Sequence, residues 1–269
     1  MTKTRPGVLS IAGFDPSGGA GVLADVKTFE QHKVTGMGVV TGLTFQNDSE
    51  FEGVEWVDTN EIIKQIEVLL RKYKFQFVKI GMIKDLETLQ AVISRLKAQD
   101  SRLIWDPILK ASAGFEIHNP DSYRDEKENL VSILKSIYLL TPNIDEIRIL
   151  AGEQDEMKAA KELSKHCNVF LKGGHANPSL KSKVQSPKSQ ENSQTLGRDL
   201  LFTTEGKMYP YKPQKISPVG KHGSGCVLSS AITANLANGL SLQRSCLKAK
   251  DYVTKFLMSN KTLLGYHRH

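Results

Sequence analysis

A glycine-rich stretch in the last third of the chain carries the residues best suited to chemistry. It ends at Cys226 and passes directly into small and aliphatic residues at helical spacing over 227–237. Gly223 and Gly225 free the backbone to turn tightly. The first turn of a helix offers unpaired N–H groups and the positive end of the helix dipole. The stretch therefore predicts an anion-binding site at the start of a helix.

The thiol of Cys226 lies in that first turn, and its position has two interpretations. A helix N-terminus lowers the pKa of a thiol from about 8.5 towards roughly 3.5–7.5, which predicts a partly ionised Cys226 near neutral pH. Alternatively, the glycines form an ordinary loop and Cys226 is a small buried apolar residue, because short Gly-x-Gly strings are weak signals. The local sequence leaves both interpretations open.

Polar side chains follow three short apolar runs, at the points where predicted strands end. They are Asp106, Asn143, Glu146 and Lys172. In parallel sheets, ligands collect at the carboxyl ends of the strands. Two carboxylates, an amide and a lysine near an anion-binding helix start could hold Mg²⁺ and a polyphosphate together, because Mg²⁺ prefers few carboxylates plus phosphate oxygens.

Short apolar strands alternate with amphipathic helices along most of the chain, from a strand at 8–12 to a final helix over about 242–263. This alternation predicts βαβ units, and hence an α/β fold with a mostly parallel sheet and helices on both faces. We expect one doubly wound domain over 1–269. The polar, aperiodic stretch at about 176–198 predicts a mobile insertion, followed by a hairpin beginning near Asp199.

A second glycine-rich turn, over 18–21, follows the first predicted strand. It fits neither the dinucleotide-binding fingerprint nor the P-loop pattern. Asp15 and Asp25 flank it and could be a cap and a solvated helix residue, or polar groups aimed at a substrate. Gln46 ends the next β-segment, and it could simply end the strand or use its carboxamide to bind the edge of a heterocycle.

Composition narrows the class of protein. The net charge is +7, but two segments, 176–198 and 241–269, carry the whole surplus, which does not favour nucleic-acid binding. No run approaches the roughly 18 apolar residues of a membrane span, and the start of the chain does not resemble a secretory signal. Three widely spaced cysteines are typical of a reducing compartment. We therefore expect a soluble, cytoplasmic protein without a membrane partner.

Several motifs occur in order along nearly the whole chain. They are Ile11–Gly21, Asp25–Phe29, Thr44–Asn47, Asp106-Pro107, Thr141–Asn143 with Glu146, Lys172–His175 and His222–Cys226. Together they resemble the hydroxymethylpyrimidine/phosphomethylpyrimidine kinases of thiamine biosynthesis, in the ribokinase-like superfamily. The resemblance implies two successive ATP-dependent phosphorylations with Mg²⁺, a ribokinase-like fold and a homodimer.

The resemblance also implies roles for single residues. The pyrimidine-binding set would be Gly13, Asp15, Asp25, Gln46 and Met82. Asp106 and Glu146 would hold Mg²⁺, while Lys172, Asn143 and Glu146 would bind the nucleotide phosphates. Gly223, Ser224 and Gly225 would form the anion hole, with Cys226 as the general base. Phe14 replaces a usually small polar residue and could reshape one wall of the pyrimidine pocket.

Two alternatives remain at this point. The first is a pyridoxal kinase on the same scaffold, which Gln46 disfavours because the similar pyridoxal enzymes often have an apolar residue there. The second is a non-catalytic regulatory protein that binds a pyrimidine. Lys172, Asp106 and Cys226 together favour catalysis, since a sensor needs no phosphoryl-transfer chemistry.

Overall fold

The computed structural model describes residues 4–110, 126–173, 198–212 and 220–268. Within these ranges, nine strands form a single sheet in the order β3-β2-β1-β4-β5-β6-β7-β8-β9. The strands are β1 (Gly7–Phe14), β2 (Thr35–Gln46), β3 (Phe51–Trp56), β4 (Phe77–Ile80), β5 (Arg102–Trp105), β6 (Leu139–Leu140), β7 (Asn168–Leu171), β8 (Asp199–Phe202) and β9 (Met208–Tyr211). The α/β prediction is confirmed.

Six adjacent strands run parallel, in the order β2-β1-β4-β5-β6-β7. The remaining strands β3, β8 and β9 pair antiparallel to their neighbours. The chain adds β2 on one side of β1 and later adds β4 on the other side. This reversal places the expected ligand crevice outside the carboxyl ends of β1 and β4. The predicted, mostly parallel sheet is therefore present, with its switch point beside β1.

Helices cover both faces of the sheet, as predicted. They are α1 (Gly21–Gln31), α2 (Thr59–Leu70), α3 (Leu86–Leu96), α4 (Lys127–Leu134), α5 (Ile144–Ala151), α6 (Glu156–Leu163), α7 (Ser224–Ala237) and α8 (Leu242–Leu257). One apolar core packs α2 to α6 against the sheet, and a second core packs α7 and α8 against the other face. Because side chains alternate along a strand, Val78 and Ile80 enter the first core while Phe77 enters the second.

Two sequence-based assignments differ from the structure. The edge strand β3 was not predicted; none of its six residues is buried, and Glu52 and Glu55 are exposed. The final helix ends at Leu257 and not near 263. The Asn260 side chain accepts hydrogen bonds from the Thr262 N–H at 2.9 Å and from Lys221 Nζ at 2.6 Å, so the chain turns back towards the site.

The predicted insertion at about 176–198 lies outside the described residues, except for Arg198. The single domain over 1–269 stays a prediction. In the part of the chain that the structure describes, no helix combines the length and apolar character needed to cross a bilayer.

Candidate active site

The sheet brings the predicted strand-end residues to one edge. Asp106 directly follows β5, and Asn143 and Lys172 follow β6 and β7, where they form an isolated parallel bridge. The Lys172 N–H donates to the Pro142 carbonyl at 2.8 Å. Parallel pairing thus continues one step beyond the regular strands and fixes the side chains that follow them.

Lys172, Asp106 and Glu146 form a charged group that we call the open cluster. Lys172 Nζ lies 2.8 Å from Asp106 Oδ1 and 3.8 Å from Glu146 Oε2. The lysine side chain is 14% exposed, compared with 1% for that of Asp106 and 7% for that of Glu146. One ammonium therefore faces two nearly buried carboxylates, and it is the member that solvent or a ligand can reach.

Two hydroxyl groups complete the hydrogen bonding of Asp106. Ser229 Oγ donates to Asp106 Oδ2 at 3.0 Å, and Thr141 Oγ1 donates to Asp106 Oδ1 at 3.1 Å. Burial raises the pKa of Asp106, but the charges of Lys172 and Lys79 outweigh burial and hold that pKa below its ordinary value. Asp106 is therefore ionised at neutral pH. The sequence analysis missed Ser229, which looked like one more small residue of α7.

Glu146 has a different electrostatic environment. Burial raises the pKa of its carboxyl to about 7; Lys172 opposes this rise and Asp106 reinforces it. Glu146 also belongs to a capping box at the start of α5, in which its N–H donates to Asn143 Oδ1 at 2.8 Å and its Oε2 accepts from the Asn143 N–H at 2.7 Å. The Asn143 side chain therefore orients Glu146, while nucleotide contact by Asn143 stays a prediction.

The glycine stretch begins α7, as predicted, and faces the open cluster. Gly223 is the N-cap residue, with a φ of 69° that favours glycine, and α7 starts at Ser224. A Cβ added to Gly225 would lie 3.5 Å from Lys172 Nζ. The first N–H groups of α7, of which that of Ser224 donates to the Lys221 carbonyl at 3.3 Å, thus lie beside the lysine, an arrangement suited to a phosphate.

The ionised thiol predicted for Cys226 is wrong for the ligand-free protein. Cys226 is 6% exposed, and burial raises the pKa of its thiol to about 11. Lys79 lowers this pKa, but Asp25 and Asp106 raise it further. The helix N-terminus does not compensate for the loss of hydration, so the thiol is protonated at neutral pH.

The predicted pyrimidine residues lie near the switch point of the sheet. A Cβ on Gly13 would lie 2.4 Å from Met82 Cε, so the two residues are in close contact. Gln46 Nε2 donates to Thr44 Oγ1 at 2.8 Å, and Thr44 Oγ1 donates to the Phe14 carbonyl at 2.8 Å. This places Gln46 next to the end of β1, where Gly13 lies. The effect of Phe14 on a substrate pocket stays a prediction.

Asp15 organises the first glycine turn. Its carboxylate accepts hydrogen bonds from Ser17, from the Ala20 N–H at 2.8 Å and from His222 Nε2 at 2.8 Å. Burial raises the pKa of Asp15, but the bonds from His222, Ser17 and Ala20 outweigh burial and lower that pKa overall. The proposed contact of Asp15 with a substrate stays a prediction.

Asp25 is not a solvated helix residue, which was one interpretation of the sequence. It is 0% exposed and pairs with Lys79 at 2.8 Å; we call these two residues the sealed pair. Asp25 also accepts from Ser10 Oγ and from Ser230 Oγ, each at 2.6 Å. The carboxylate has no surface that a pyrimidine could contact in this conformation. Lys79 was not predicted as a site residue, although a lysine inside the apolar strand β4 indicates a buried, paired charge.

Comparisons with known proteins agree with this geometry. The family model described as phosphomethylpyrimidine kinase matches residues 15–268. The hydroxymethylpyrimidine/phosphomethylpyrimidine kinase of Aquifex aeolicus is 32% identical over 267 residues, which cover 95% of both chains.

Solved structures give the same result for the fold. The phosphomethylpyrimidine kinase of Clostridium difficile 630 has a TM-score of 0.72 and 30% identity, covering 93% of this chain and 99% of that one. The pyridoxal kinase of Staphylococcus aureus, in complex with AMP-PCP and pyridoxal, has a TM-score of 0.78 and 25% identity, with coverage of 97% and 91%.

Proposed function

The chain belongs to the phosphomethylpyrimidine kinase family, and we propose that the open cluster and the start of α7 perform the phosphoryl transfer of that family. The reaction is the ATP-dependent phosphorylation of hydroxymethylpyrimidine and then of its monophosphate, for thiamine biosynthesis. One observation carries the proposal: Lys172 bridges two carboxylates beside the N-terminus of α7.

Lys172 is placed to bind the phosphates of the nucleotide. Its ammonium is held by Asp106 in the ligand-free protein but retains solvent access. Phosphate oxygens offer it a competing anionic partner, and Ser229 and Thr141 continue to hold Asp106 if the lysine turns away. The Gly223–Gly225 backbone then donates to the transferring group, as a helix N-terminus does for anions.

Asp106 and Glu146 would hold the Mg²⁺ ion. The described residues contain no set of three metal-binding side chains, so the ion would complete its coordination with phosphate oxygens and water, which suits Mg²⁺. When Glu146 is ionised, two carboxylates face a single ammonium, which leaves surplus negative charge at the site. The donor set therefore fits the ion. When bound, Mg²⁺ neutralises charge on the phosphates.

Cys226 is our candidate for the group that accepts the proton of the acceptor hydroxyl. Because burial raises the pKa of its thiol to about 11, Cys226 is protonated before the substrates bind, and it can accept the proton of the acceptor hydroxyl only after its own proton has passed to water. Most of the acceleration should come from positioning and charge neutralisation, since the transition state of phosphoryl transfer is loose. In this proposal, the only role of Cys226 is to accept the proton of the acceptor hydroxyl.

Gly13, Met82 and Gln46 form the proposed pyrimidine side of the site. Gly13 lacks a side chain where Met82 Cε approaches, so Met82 can lie against the backbone at the end of β1. The Gln46 carboxamide is partly exposed and offers both a donor and an acceptor to the ring edge. Asp25 supports this region from below through Ser10 of β1, and we propose an indirect role for it.

An assay of ADP release separates this function from its alternatives. Mg-ATP is supplied with hydroxymethylpyrimidine, its monophosphate or pyridoxal, each in a separate reaction. We expect turnover with both pyrimidines. The likeness to a pyridoxal kinase makes pyridoxal the second candidate acceptor, and turnover on pyridoxal alone would support that activity. No turnover with any acceptor would support a regulatory binding protein.

The homodimer and the cytoplasmic location belong to the same proposal. The homodimer rests on the family resemblance, and the cytoplasmic location rests on the cysteine content. Light scattering of the purified protein tests the dimer, and a mass equal to one chain would contradict it.

A further inference from the structure

His222 connects two loops that are far apart in sequence. We call Asp15–Gly21 the first glycine loop and Gly220–Cys226 the second glycine loop. His222 Nε2 lies 2.8 Å from Asp15 Oδ2, and the two side chains are 5% and 1% exposed. Because the Asp15 carboxylate can only accept, Nε2 is the nitrogen that carries the hydrogen.

Asp15 spreads this contact over the whole first loop. The Oδ2 atom that accepts from His222 also accepts from the Ala20 N–H at 2.8 Å and from Ser17 Oγ at 2.9 Å. The other carboxylate oxygen accepts from the Ser17 N–H at 2.8 Å. A shift of His222 therefore changes the hydrogen bonds that define the backbone of the first loop.

The two loops also touch directly, without room for adjustment. A Cβ on Gly223 would lie 2.0 Å from the Gly19 carbonyl oxygen, and a Cβ on Gly19 would lie 2.5 Å from His222 Cδ2. At Gly223 the neighbouring atoms are backbone and φ is positive, so this position favours glycine, whereas at Gly19 the His222 and Leu264 side chains would have to shift. The loops are packed as one unit around the imidazole ring.

The C-terminal segment holds the second loop on its other side. Lys221 Nζ donates to the Asn260 carbonyl at 2.8 Å and to the Thr262 carbonyl, and the His222 N–H donates to the Leu263 carbonyl at 3.0 Å. The second loop is thus held between the C-terminal segment and the first loop.

We propose that His222 is a positioning residue that couples the nucleotide site to the pyrimidine site. A phosphate group at the second glycine loop orders that loop, and the bond between His222 and Asp15 extends the order to the first glycine loop, beside the pyrimidine residues. Each ligand thereby preorganises the site of the other, and this coupling is reciprocal. The inference rests on the proposed function, because that function assigns phosphate to one loop and pyrimidine to the region of the other.

Hydrogen exchange on the intact protein, with and without AMP-PCP, tests the coupling in the absence of turnover. In the wild type, AMP-PCP should slow exchange in the second loop and also slow it about fivefold or more at the amides of the first loop. In His222→Leu, the second loop should still be protected, while the first loop should keep its ligand-free rate. His222→Gln should restore the effect, because its amide nitrogen can donate to Asp15.

His32→Leu is the matched control. His32 is another buried histidine, 6% exposed, and its Nδ1 lies 2.9 Å from the Thr28 carbonyl oxygen, away from both loops. This variant should lose stability and yet keep the protection of the first loop. If His222→Leu does not fold, His222→Gln and Asp15→Asn carry the test. Protection of the first loop should persist in His222→Gln and weaken in Asp15→Asn.

Two results would overturn the coupling. One is protection in the wild type that stops at the second loop, and the other is unchanged protection of the first loop in His222→Leu. The proposed function fails by a different measurement, namely the lack of ADP release with either pyrimidine. If AMP-PCP does not bind at all, both proposals are overturned.

Discussion

Two lysines lie near the carboxyl ends of the parallel strands and differ in burial and in charge balance. The sealed pair of Lys79 and Asp25 is 0% exposed and balanced, with one cation for one anion. The open cluster sets Lys172, 14% exposed, against the two carboxylates of Asp106 and Glu146. Cys226 lies within the electrostatic reach of both lysines.

We interpret this difference as the difference between a structural lysine, Lys79, and a catalytic lysine, Lys172. Asp25 holds Lys79 through a direct ion pair in which both side chains are 0% exposed. Lys172 shares its charge between two acceptors and can reach a third. We infer that the sealed pair fixes α1 and β4 beneath the site, whereas the open cluster performs the reaction.

The largest effect should follow from breaking the sealed pair. Lys79→Met leaves the Asp25 carboxylate buried without a cation, which should lower the free energy of unfolding by about 3–5 kcal/mol. Urea unfolding measures this loss. Asp25→Asn combined with Lys79→Met should recover most of it. A double variant as unstable as Lys79→Met alone would contradict the assignment.

Removal of the cation of the open cluster should affect catalysis more than stability. Lys172→Met takes away the charge that meets the phosphates, and we expect kcat/KM for ATP to fall by about 10²–10³-fold. Steady-state kinetics measure the change. Lys165→Met, a surface lysine paired with Glu162, is the matched control and should retain full activity. Equal activity of both variants would refute the role of Lys172.

Cys226, between the two lysines, tests whether the thiol takes part in the reaction. Cys226→Ala should lower kcat by about 10²-fold, the lower range for general base catalysis, and leave the Kd of AMP-PCP nearly unchanged. Calorimetry gives the Kd and the ADP assay gives kcat. Cys167→Ala removes another buried thiol, in the core that packs α2 to α6, and controls for cavity formation. Normal turnover in Cys226→Ala would exclude a role in proton transfer.

Glu146 should make the open cluster sensitive to pH. Burial raises the pKa of its carboxyl to about 7 in the folded protein, from 4.5. Between these values the folded state keeps a proton that the unfolded chain has lost, so stability declines as pH rises, by about 3 kcal/mol in total.

Glu146→Gln removes that decline. Relative to the wild type, the variant should therefore gain stability between pH 5 and pH 8, as measured by urea unfolding at each pH. Glu61→Gln, at an exposed carboxylate, is the matched control. The prediction would be contradicted if the difference in the free energy of unfolding between wild type and Glu146→Gln were the same at pH 5 and at pH 8.

Sequence patterns predicted most of the fold because most of its strands and helices have clear periodicity. The strand predicted at 8–12 lies within β1, and the helix that begins beside Cys226 occurs where the pattern placed it. The final helix was predicted too long, because periodicity does not register the side-chain bonds of Asn260 that turn the chain.

The site was predictable only in part. The strand-end rule correctly brought Asp106 and Lys172 together, since it depends on the direction of parallel strands. Burial is a tertiary property, and for this reason the sequence could not give the environment of Asp25 or the raised pKa of Cys226. The contact between His222 and Asp15 joins residues 207 positions apart, and no local pattern encodes such a pairing.

The most direct test of the central claim is a time course of the pyrimidine products. The wild-type protein is incubated with Mg-ATP and hydroxymethylpyrimidine, and the products are followed by phosphorus NMR. The account predicts that the monophosphate appears first and is then converted to the diphosphate. If no phosphorylated pyrimidine forms while pyridoxal is phosphorylated under the same conditions, the account is contradicted.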